Sequence, residues 1–237
     1  MTDSKGRIGR RSMLRAGVVS LVGLPALASA ASQERDLDKI DPDAGVTAPE
    51  DLMREHGVLN RCLLIYEEAV RRLRDKGEVS PEAFNQTAEL IRSFVEAYHE
   101  RNEEKYIFPV FEAQKKLVEL VQTLKTQHTA GRELTARILR LSTSDQFRSP
   151  DSRTQLIISC QSFIRMYRPH ESREDTVLFP ALRTLLAPRQ VDALGDKMEE
   201  DEHRVLGDEG FEKSVDKVTR IEKALGIYDL AQFTPKA

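Results

Sequence analysis

The chain has 237 residues with no tryptophan, only two cysteines and few aromatic residues (6%). Runs of Val, Ile and Thr typical of strands are missing, and no apolar stretch of 18 or more residues occurs within 48–237. These absences exclude a disulfide scaffold and a cysteine zinc site, and they argue against a spanning helix in that part. On antiparallel helices, Cys62 and Cys160 would differ in height by about 6 Å. We therefore expect two buried thiols rather than a disulfide.

The charged residues indicate a helical protein that does not bind nucleic acid. They make up 32% of the chain, and Leu, Ala, Glu and Arg are prominent, which favours helices. The net charge is −3, and residues 1–30 hold five basic residues and one acidic one. The remainder is therefore more acidic still and has no basic stripe, which predicts no nucleic-acid partner.

The N-terminus reads as an export signal. Arg10 and Arg11 precede the uncharged segment AGVVSLVGLPALASA, and Ala28-Ser29-Ala30 offers a small-x-small cleavage site. The paired arginines resemble a twin-arginine (Tat) signal, which implies export of a folded protein to the periplasm or the medium. An uncleaved membrane anchor is the alternative. With cleavage, residues 1–30 are removed, residues 31–47 form a linker, and no stable membrane association remains.

Apolar residues at three- and four-residue steps predict five helices in the rest of the chain. Ser80-Pro81 marks the start of the second, Pro109 is expected to bend or end it, and Pro169 is expected to kink the fourth. The predicted class is all-α: an antiparallel four-helix bundle over residues 48–206, with an irregular helical stack as the alternative. A C-terminal extension, residues 207–237, adds a short helix. The five helices span about 49–75, 81–109, 111–141, 156–177 and 188–206.

One phrase occurs twice. The stretch HERNEEKYIFP begins at His99 and HESREDTVLFP begins at His170, and both reduce to His-x-x-x-Glu-x-x-x-x-Phe-Pro. His99 with Glu103, and His170 with Glu174, therefore lie one helical turn apart on one face. An imidazole and a carboxylate so placed are two metal ligands on one rigid element. Two copies predict a pair of metal ions held between two helices.

The histidines extend this site. All five lie on or beside the apolar stripe of a different helix, and burying five imidazoles and two carboxylates is costly unless they share a metal centre. Seven ligands exceed what one tetrahedral zinc takes, whereas two ions bridged by two carboxylates use all seven. Three histidines would bind one ion and two the other, which leaves a position for an external ligand. The predicted ligands are His56, His99, Glu103, His128, His170, Glu174 and His203.

The surrounding polar residues receive weaker assignments. Glu100 and Glu171 are rotated about 100° from the motif histidines and are expected to be solvated, and Glu202 is expected at the rim. Three tyrosines lie near the ligands by helical spacing and either contact a bound small ligand or serve as core aromatics: Tyr98, Tyr106 and Tyr167. No catalytic residue is predicted. Mixed imidazole and carboxylate ligands favour two Fe ions, with Mn or mixed metal as alternatives.

The order of these seven ligands, together with the Phe-Pro endings, resembles that of hemerythrin-like (HHE cation-binding) domains. The resemblance covers about residues 48–206 and implies an up-and-down four-helix bundle around a non-haem di-iron site bridged by Glu103 and Glu174. The extra helix bearing His203 departs from the family pattern.

Such a centre binds O2, peroxide or NO, so we expect a carrier, scavenger or sensor. An enzyme that consumes peroxide or NO, and an iron-holding protein, are the alternatives, because one fold hosts several functions. The sequence does not identify a redox partner.

Overall fold

In the computed structural model, which describes residues 46–235, the chain folds into helices joined by short turns. No β-strand occurs among these residues, so the predicted all-α class is confirmed. The predicted signal and linker lie outside the described residues, except for the last two linker positions. The main helices are α1 (Ala48–Arg74), α2 (residues 81–114), α3 (Val118–Leu141), α4 (residues 150–185), α5 (Pro188–Leu206) and α6 (Gly210–Leu225). A single helical turn, Ser144–Phe147, lies between α3 and α4, and a short 3-10 helix, Leu230–Phe233, follows α6.

Local sequence signals set several helix ends. Ser80 precedes α2, and its side-chain oxygen accepts a hydrogen bond from the backbone N–H of Glu82. Ser149 does the same before α4, with Pro150 as the first helical residue. Such caps satisfy backbone donors that have no partner inside the helix. Gly226 ends α6 at a φ of 73°, a left-handed conformation that glycine adopts without strain.

The prolines of the repeated motif do not end their helices. Instead α2 widens into a π turn at Glu103–Ile107, where the N–H of Phe108 bonds the carbonyl of Glu103, and then continues to Gln114. In α-helical geometry the ring of Pro109 would clash with the carbonyl four residues earlier, and the wider turn relieves this contact. Of the two outcomes expected at Pro109, a bend or an end, the end is wrong, and α3 begins at Val118 rather than at about 111.

The second copy of the motif behaves in the same way. A π turn at Glu174–Leu178 precedes Phe179 and Pro180, and the N–H of Phe179 bonds the carbonyl of Glu174. Upstream, α4 stays helical through Pro169. In both copies a π turn thus begins at the glutamate of the His-x-x-x-Glu pair, and α2 alone has a second π stretch, Ile91–His99, that ends at the histidine of its pair.

Each of the four long helices, α1 to α4, packs mainly against two of the others. Helix α1 contacts α2 and α4, and α3 also contacts α2 and α4. Helix α6 packs against α1 and α2, where Arg61 of α1 binds Glu222 of α6 through two hydrogen bonds of 2.9 and 2.5 Å. None of the helices in the described part is both long and apolar enough to cross a lipid bilayer.

Two buried apolar clusters lie on either side of the histidines. The smaller includes Leu52, Phe108, Leu124 and Phe179; the larger includes Leu59, Tyr98, Ile138 and Tyr167. Along α1 and α3 the smaller cluster precedes the histidine and the larger one follows it, whereas along α2 and α4 this order is reversed. The histidines therefore occupy a polar layer between two apolar ones.

Candidate metal centre

Six of the seven predicted ligands come together in this layer. Each of the four long helices contributes one histidine, and α2 and α4 each add a glutamate one turn later. All six residues are at most 4% exposed. Their ligand atoms form two groups, each within 4.8 Å: His56, His99 and Glu103 in one, and Glu103, His128, His170 and Glu174 in the other.

Each carboxylate lies between two histidines from different helices. Glu103 Oε2 is 3.6 Å from His99 Nε2 and 3.4 Å from His128 Nε2. Glu174 Oε2 is 3.4 Å from His56 Nε2 and 3.2 Å from His170 Nε2. We call His56 and His99, whose ring centroids are 4.7 Å apart, the first histidine pair. The second histidine pair, His128 and His170, is separated by 5.1 Å.

The cluster contains buried polar atoms that nothing in the described chain satisfies. Both oxygens of Glu103, both oxygens of Glu174, and Nε2 of His56 and His128 have no hydrogen-bond partner among residues 46–235. An unpaired buried polar group costs about 1–3 kcal/mol, and more when it is charged. Metal ions among these atoms would satisfy all of them at once. The donor set therefore fits a cation site.

The outer nitrogen of each first-pair imidazole bonds a carboxylate on another helix. His56 Nδ1 lies 2.7 Å from Asp175 Oδ1, and His99 Nδ1 lies 2.8 Å from Glu55 Oε2. A proton on Nδ1 in such a bond leaves the Nε2 lone pair pointing inward, which is the arrangement of metal-binding histidines.

The second pair is held in the same way by other acceptors. His128 Nδ1 lies 3.0 Å from Glu104 Oε1, and His170 Nδ1 lies 2.8 Å from the amide oxygen of Gln127. Our sequence interpretation missed all four acceptors. A local sequence signal could have identified these acceptors, because each one directly precedes or follows a candidate ligand in the sequence.

The motif phenylalanines also orient histidines. Phe108 stacks on His128 at 5.4 Å with 27° between the ring planes, and Phe179 stacks on His56 at 5.7 Å with 22°. The two copies therefore share the geometry of the Phe-Pro ending. In each copy this ending follows the π turn and places the phenylalanine ring over a histidine of the neighbouring helix.

Glu100 and Glu171 are buried, so the expectation that they are solvated is wrong. Glu100 is 1% exposed, accepts a 2.6 Å hydrogen bond from the Tyr167 hydroxyl and pairs with Arg132 at 2.8 Å. Glu171 is 2% exposed and accepts a 2.9 Å bond from Asn60. Both acids turn toward the adjacent helix rather than toward water. Burial raises the pKa of Glu171 to about 7.

His203 does not join the cluster. Its side chain is 50% exposed, and Nδ1 lies 3.4 Å from Asp208. Helix α5 buries Met198 and Glu202 instead, and a one-residue step of about 100° turns His203 outward. Glu202 is only 4% exposed and accepts a 2.9 Å bond from the backbone N–H of Phe211, so the predicted rim position is also wrong.

The three tyrosines occupy different places. The ring of Tyr167 lies 5.2 Å from that of His170. Tyr98 is 1% exposed, and its burial and the nearby Glu55 carboxylate raise its pKa well above the usual value. Tyr106 is half-buried and donates a 3.0 Å hydrogen bond to Asp201 of α5.

Burial and the neighbouring carboxylates act in opposite directions on the pKa values of the histidines. Burial opposes a positive charge on His128, but the carboxylates of Glu103 and Glu104 outweigh it and raise the pKa of His128 to about 10. The pKa of His56 is likewise raised, because Asp175 and Glu174 outweigh burial. Burial lowers the pKa of His99 to about 4. The cluster without metal therefore retains protons that a cation would displace.

Both cysteines are buried free thiols, as predicted from their spacing. Burial raises the pKa of each thiol, which keeps it protonated and unreactive. Cys62 and Cys160 belong to the larger apolar cluster and take no part in the metal centre.

Residues 46–235 form helices whose buried histidine and glutamate clusters could hold cations, which are the features of a helical metal-binding protein. The sequence model of the Hemerythrin HHE cation binding domain matches residues 47–182 and again residues 119–231. The chain belongs to this hemerythrin HHE family.

Two similar sequences cover nearly the whole chain. An uncharacterized protein of Mycobacterium tuberculosis and one of Mycobacterium bovis are each 44% identical to the chain over 234 residues, which covers 96% of this chain and 91% of the relative. No solved structure matches the chain significantly.

Proposed function

We propose that the protein holds two iron ions, bridged by Glu103 and Glu174, and binds O2 or a related small ligand such as peroxide or NO. The observation that carries this proposal is the position of the two carboxylates. Each reaches one histidine of the first pair and one of the second, and its oxygens have no other partner among residues 46–235. A carboxylate between two imidazole pairs is the geometry of a bridge between two ions.

The proposed ligand set differs from the sequence expectation. It contains six residues, since His203 is left out, and divides the imidazoles two and two rather than three and two. Two imidazoles and two shared carboxylates would hold each ion and leave room for an external ligand, and such a metal pair would supply binding and redox chemistry for O2, peroxide or NO. Mixed oxygen and nitrogen donors suit iron, and manganese or a mixed pair remains an alternative.

The protein's own residues would shape what happens at the open positions. Apolar residues on both sides of the polar layer keep bulk water away, which suits reversible binding by a carrier, scavenger or sensor. The hydrogen-bonded pair of Tyr167 and Glu100 beside His170 is a buried proton donor and acceptor. This pair favours the second candidate function, an enzyme that consumes peroxide or NO.

We also propose an up-and-down order for the four long helices. The apolar clusters support it, because they follow one order around the histidine on α1 and α3 and the opposite order on α2 and α4. Neighbours in sequence then run antiparallel, which short connections require.

Export remains part of the proposal on sequence grounds alone. Arg10-Arg11, the apolar segment and the Ala28-Ser29-Ala30 site favour a twin-arginine signal and a periplasmic or secreted protein. The acidic remainder favours a small-molecule partner over nucleic acid.

Metal content tests the bridging proposal directly. We expect about two iron ions per chain in the purified protein, and loss of the paired centre in Glu103→Ala and in Glu174→Ala. Glu89→Ala is a matched control on α2, because the Glu89 side chain is 56% exposed. Retention of two ions by either bridging variant, measured by elemental analysis, would contradict the proposal.

The spectrum of the reduced protein separates the candidate functions. A change on mixing with O2 that reverses on its removal supports a binding protein. Sustained loss of peroxide or NO in parallel assays supports an enzyme. Metal without either response supports the remaining alternative, an iron-holding protein.

A further inference from the structure

The contacts around the cluster repeat with a nearly constant sequence offset. Glu55 and Gln127, which directly precede the histidines of α1 and α3, each bond the Nδ1 atom of a motif histidine. Glu104 and Asp175, which follow the two bridging carboxylates, each bond the histidine of the neighbouring helix. The two matches to the family model begin at residues 47 and 119, which fits the same repeat. The centre is therefore built from two related helix pairs.

The repeat is broken at one of these contacts. The acceptor for His99 is the carboxylate of Glu55, which is 1% exposed, whereas the acceptor for His170 is the neutral amide of Gln127, which is partly exposed. An anionic acceptor strengthens the hydrogen bond and makes the imidazole a better electron donor to a metal than a neutral acceptor does. A low-dielectric surrounding enlarges that difference.

A second departure acts in the same direction. Asp175 and Glu104 are equivalent acceptors, but Glu104 also binds Arg132 at 2.7 Å. The equivalent position on α1 is Asn60, a neutral residue that bonds Glu171. The guanidinium of Arg132 withdraws negative charge from the acceptor of His128 and places a cation near the second histidine pair.

The inner ligands are the same in kind at the two positions. In each histidine pair one Nε2 atom lies within 3.6 Å of Glu103 and the other lies within 3.4 Å of Glu174. They converge more closely at the second pair, where four ligand atoms lie within 4.8 Å of one another, than at the first, where three do. What favours the first position is therefore the charge of its outer acceptors.

From these contacts we infer that the two metal positions are inequivalent, and that a divalent cation fills the position at His56 and His99 first and holds it more tightly. This inference rests on the proposed paired centre. Contacts of this type change metal affinity by about 10–100-fold. We therefore expect two stepwise dissociation constants that differ at least about tenfold.

Histidine resonances identify which position fills. The full chain, labelled with ¹⁵N histidine and freed of metal, is titrated with Zn²⁺, a redox-inert ion that accepts imidazole and carboxylate ligands. The first equivalent should shift the resonances of His56 and His99, and the second those of His128 and His170. The exposed His203 serves as an internal control that does not follow either step.

A charge-conserving exchange provides the matched variant. Glu55→Gln should weaken the first position about 10–100-fold and leave the second within about threefold, whereas Gln127→Glu should strengthen the second position. The double substitution Glu55→Gln with Gln127→Glu keeps the net charge and should reverse the filling order. Circular dichroism of each metal-free variant checks that it is folded, and the unsubstituted protein alone already tests the order.

The outcomes separate the two proposals. Parallel shifts of all four buried histidines with one common affinity, or filling that begins at His128 and His170, would overturn the inequivalence while leaving the paired centre standing. Zinc that moves none of the four resonances would refute the centre itself.

Discussion

Gly131 of α3 provides a sharp test of the packing behind the metal centre. A Cβ atom at this position would collide with the Tyr167 hydroxyl oxygen and would lie 2.7 and 2.9 Å from two ring carbons. The ring also lies against Phe163 at 4.3 Å and against His170 at 5.2 Å. It therefore has little room to retreat, and we predict that Gly131→Ala destabilises the protein.

The magnitude follows from three contributions. Helix propensity alone would make alanine more stable by about 1 kcal/mol. Overpacking in a filled core costs about 1–3 kcal/mol, and disturbing the 2.6 Å hydrogen bond from Tyr167 to Glu100 costs about 1.5–3 kcal/mol. The net expectation is a loss of about 1.5–5 kcal/mol in the free energy of unfolding.

Gly57 is the matched control. It lies in α1 directly after His56, it is exposed, and a Cβ there would meet nothing within 4 Å. Gly57→Ala should therefore show the propensity effect alone and stabilise the protein by about 0.5–1 kcal/mol. The same substitution is therefore expected to change the free energy of unfolding in opposite directions at these two helical glycines.

Urea unfolding of the metal-free proteins, followed by far-ultraviolet circular dichroism, measures both changes. In a Tyr167→Ala background the collision is absent, so Gly131→Ala should become neutral or stabilising, and a double-mutant cycle gives the coupling. If Gly131→Ala were as stable as Gly57→Ala in the otherwise unchanged protein, the close packing of Tyr167 on α3 would be refuted.

Two further predictions concern protons. The pKa of His128 is about 10 and that of His56 is also raised, so both imidazoles are positively charged at pH 7 without metal. Binding of two ions should therefore release about two protons, and the ions should bind more tightly as the pH rises. Calorimetry in buffers of different ionisation enthalpy measures the number of protons released, and zero release would contradict the prediction. Burial raises the pKa of Glu171 from 4.5 to about 7, so the folded state binds its proton more strongly than the unfolded chain, and a stability cost develops as the pH rises from about 4.5 to 7. Metal-free Glu171→Gln should therefore exceed the original protein in unfolding free energy by about 3 kcal/mol at pH 8 but only about 1 kcal/mol at pH 5, and an equal difference at both pH values would refute this reasoning.

Hydrophobic periodicity predicted the helices well because each has one continuous apolar stripe. The ends set by capping residues, such as Ser80-Pro81, were also predictable, since the signal is local. The passage of α2 through Pro109 was not predictable in this way. It depends on a π turn, and the energetic cost of that turn is offset by contacts with other helices: it places Glu103 in the cluster and stacks Phe108 on His128 of the neighbouring helix.

The errors at the site have a common cause. A single stripe describes one buried face, but a helix with two long neighbours also has buried flanks. Glu100 and Glu171 lie about 100° from the stripe and meet Tyr167 and Asn60 there. Helix α5 packs outside the four long helices, and there the same rotation of about 100° places His203 at the surface. Burial at the flanks depends on which helices are neighbours, and no local pattern contains that information.

The repeated phrase gains a physical meaning from these contacts. Within the copy on α2, Glu103 faces the cluster, Glu104 binds the outer nitrogen of His128 and Phe108 stacks on the same ring. The copy on α4 treats His56 in the same way.

Each copy therefore orients a histidine that belongs to a helix outside the copy, and each motif glutamate lies within 3.6 Å of one histidine of each pair. One helix pair alone would offer two imidazoles and one carboxylate, which is too few for a closed site and leaves charged groups buried without partners. Two helix pairs together supply the imidazoles and carboxylates that either pair alone would lack. The site therefore requires both copies of the motif, because each copy orients a histidine outside itself.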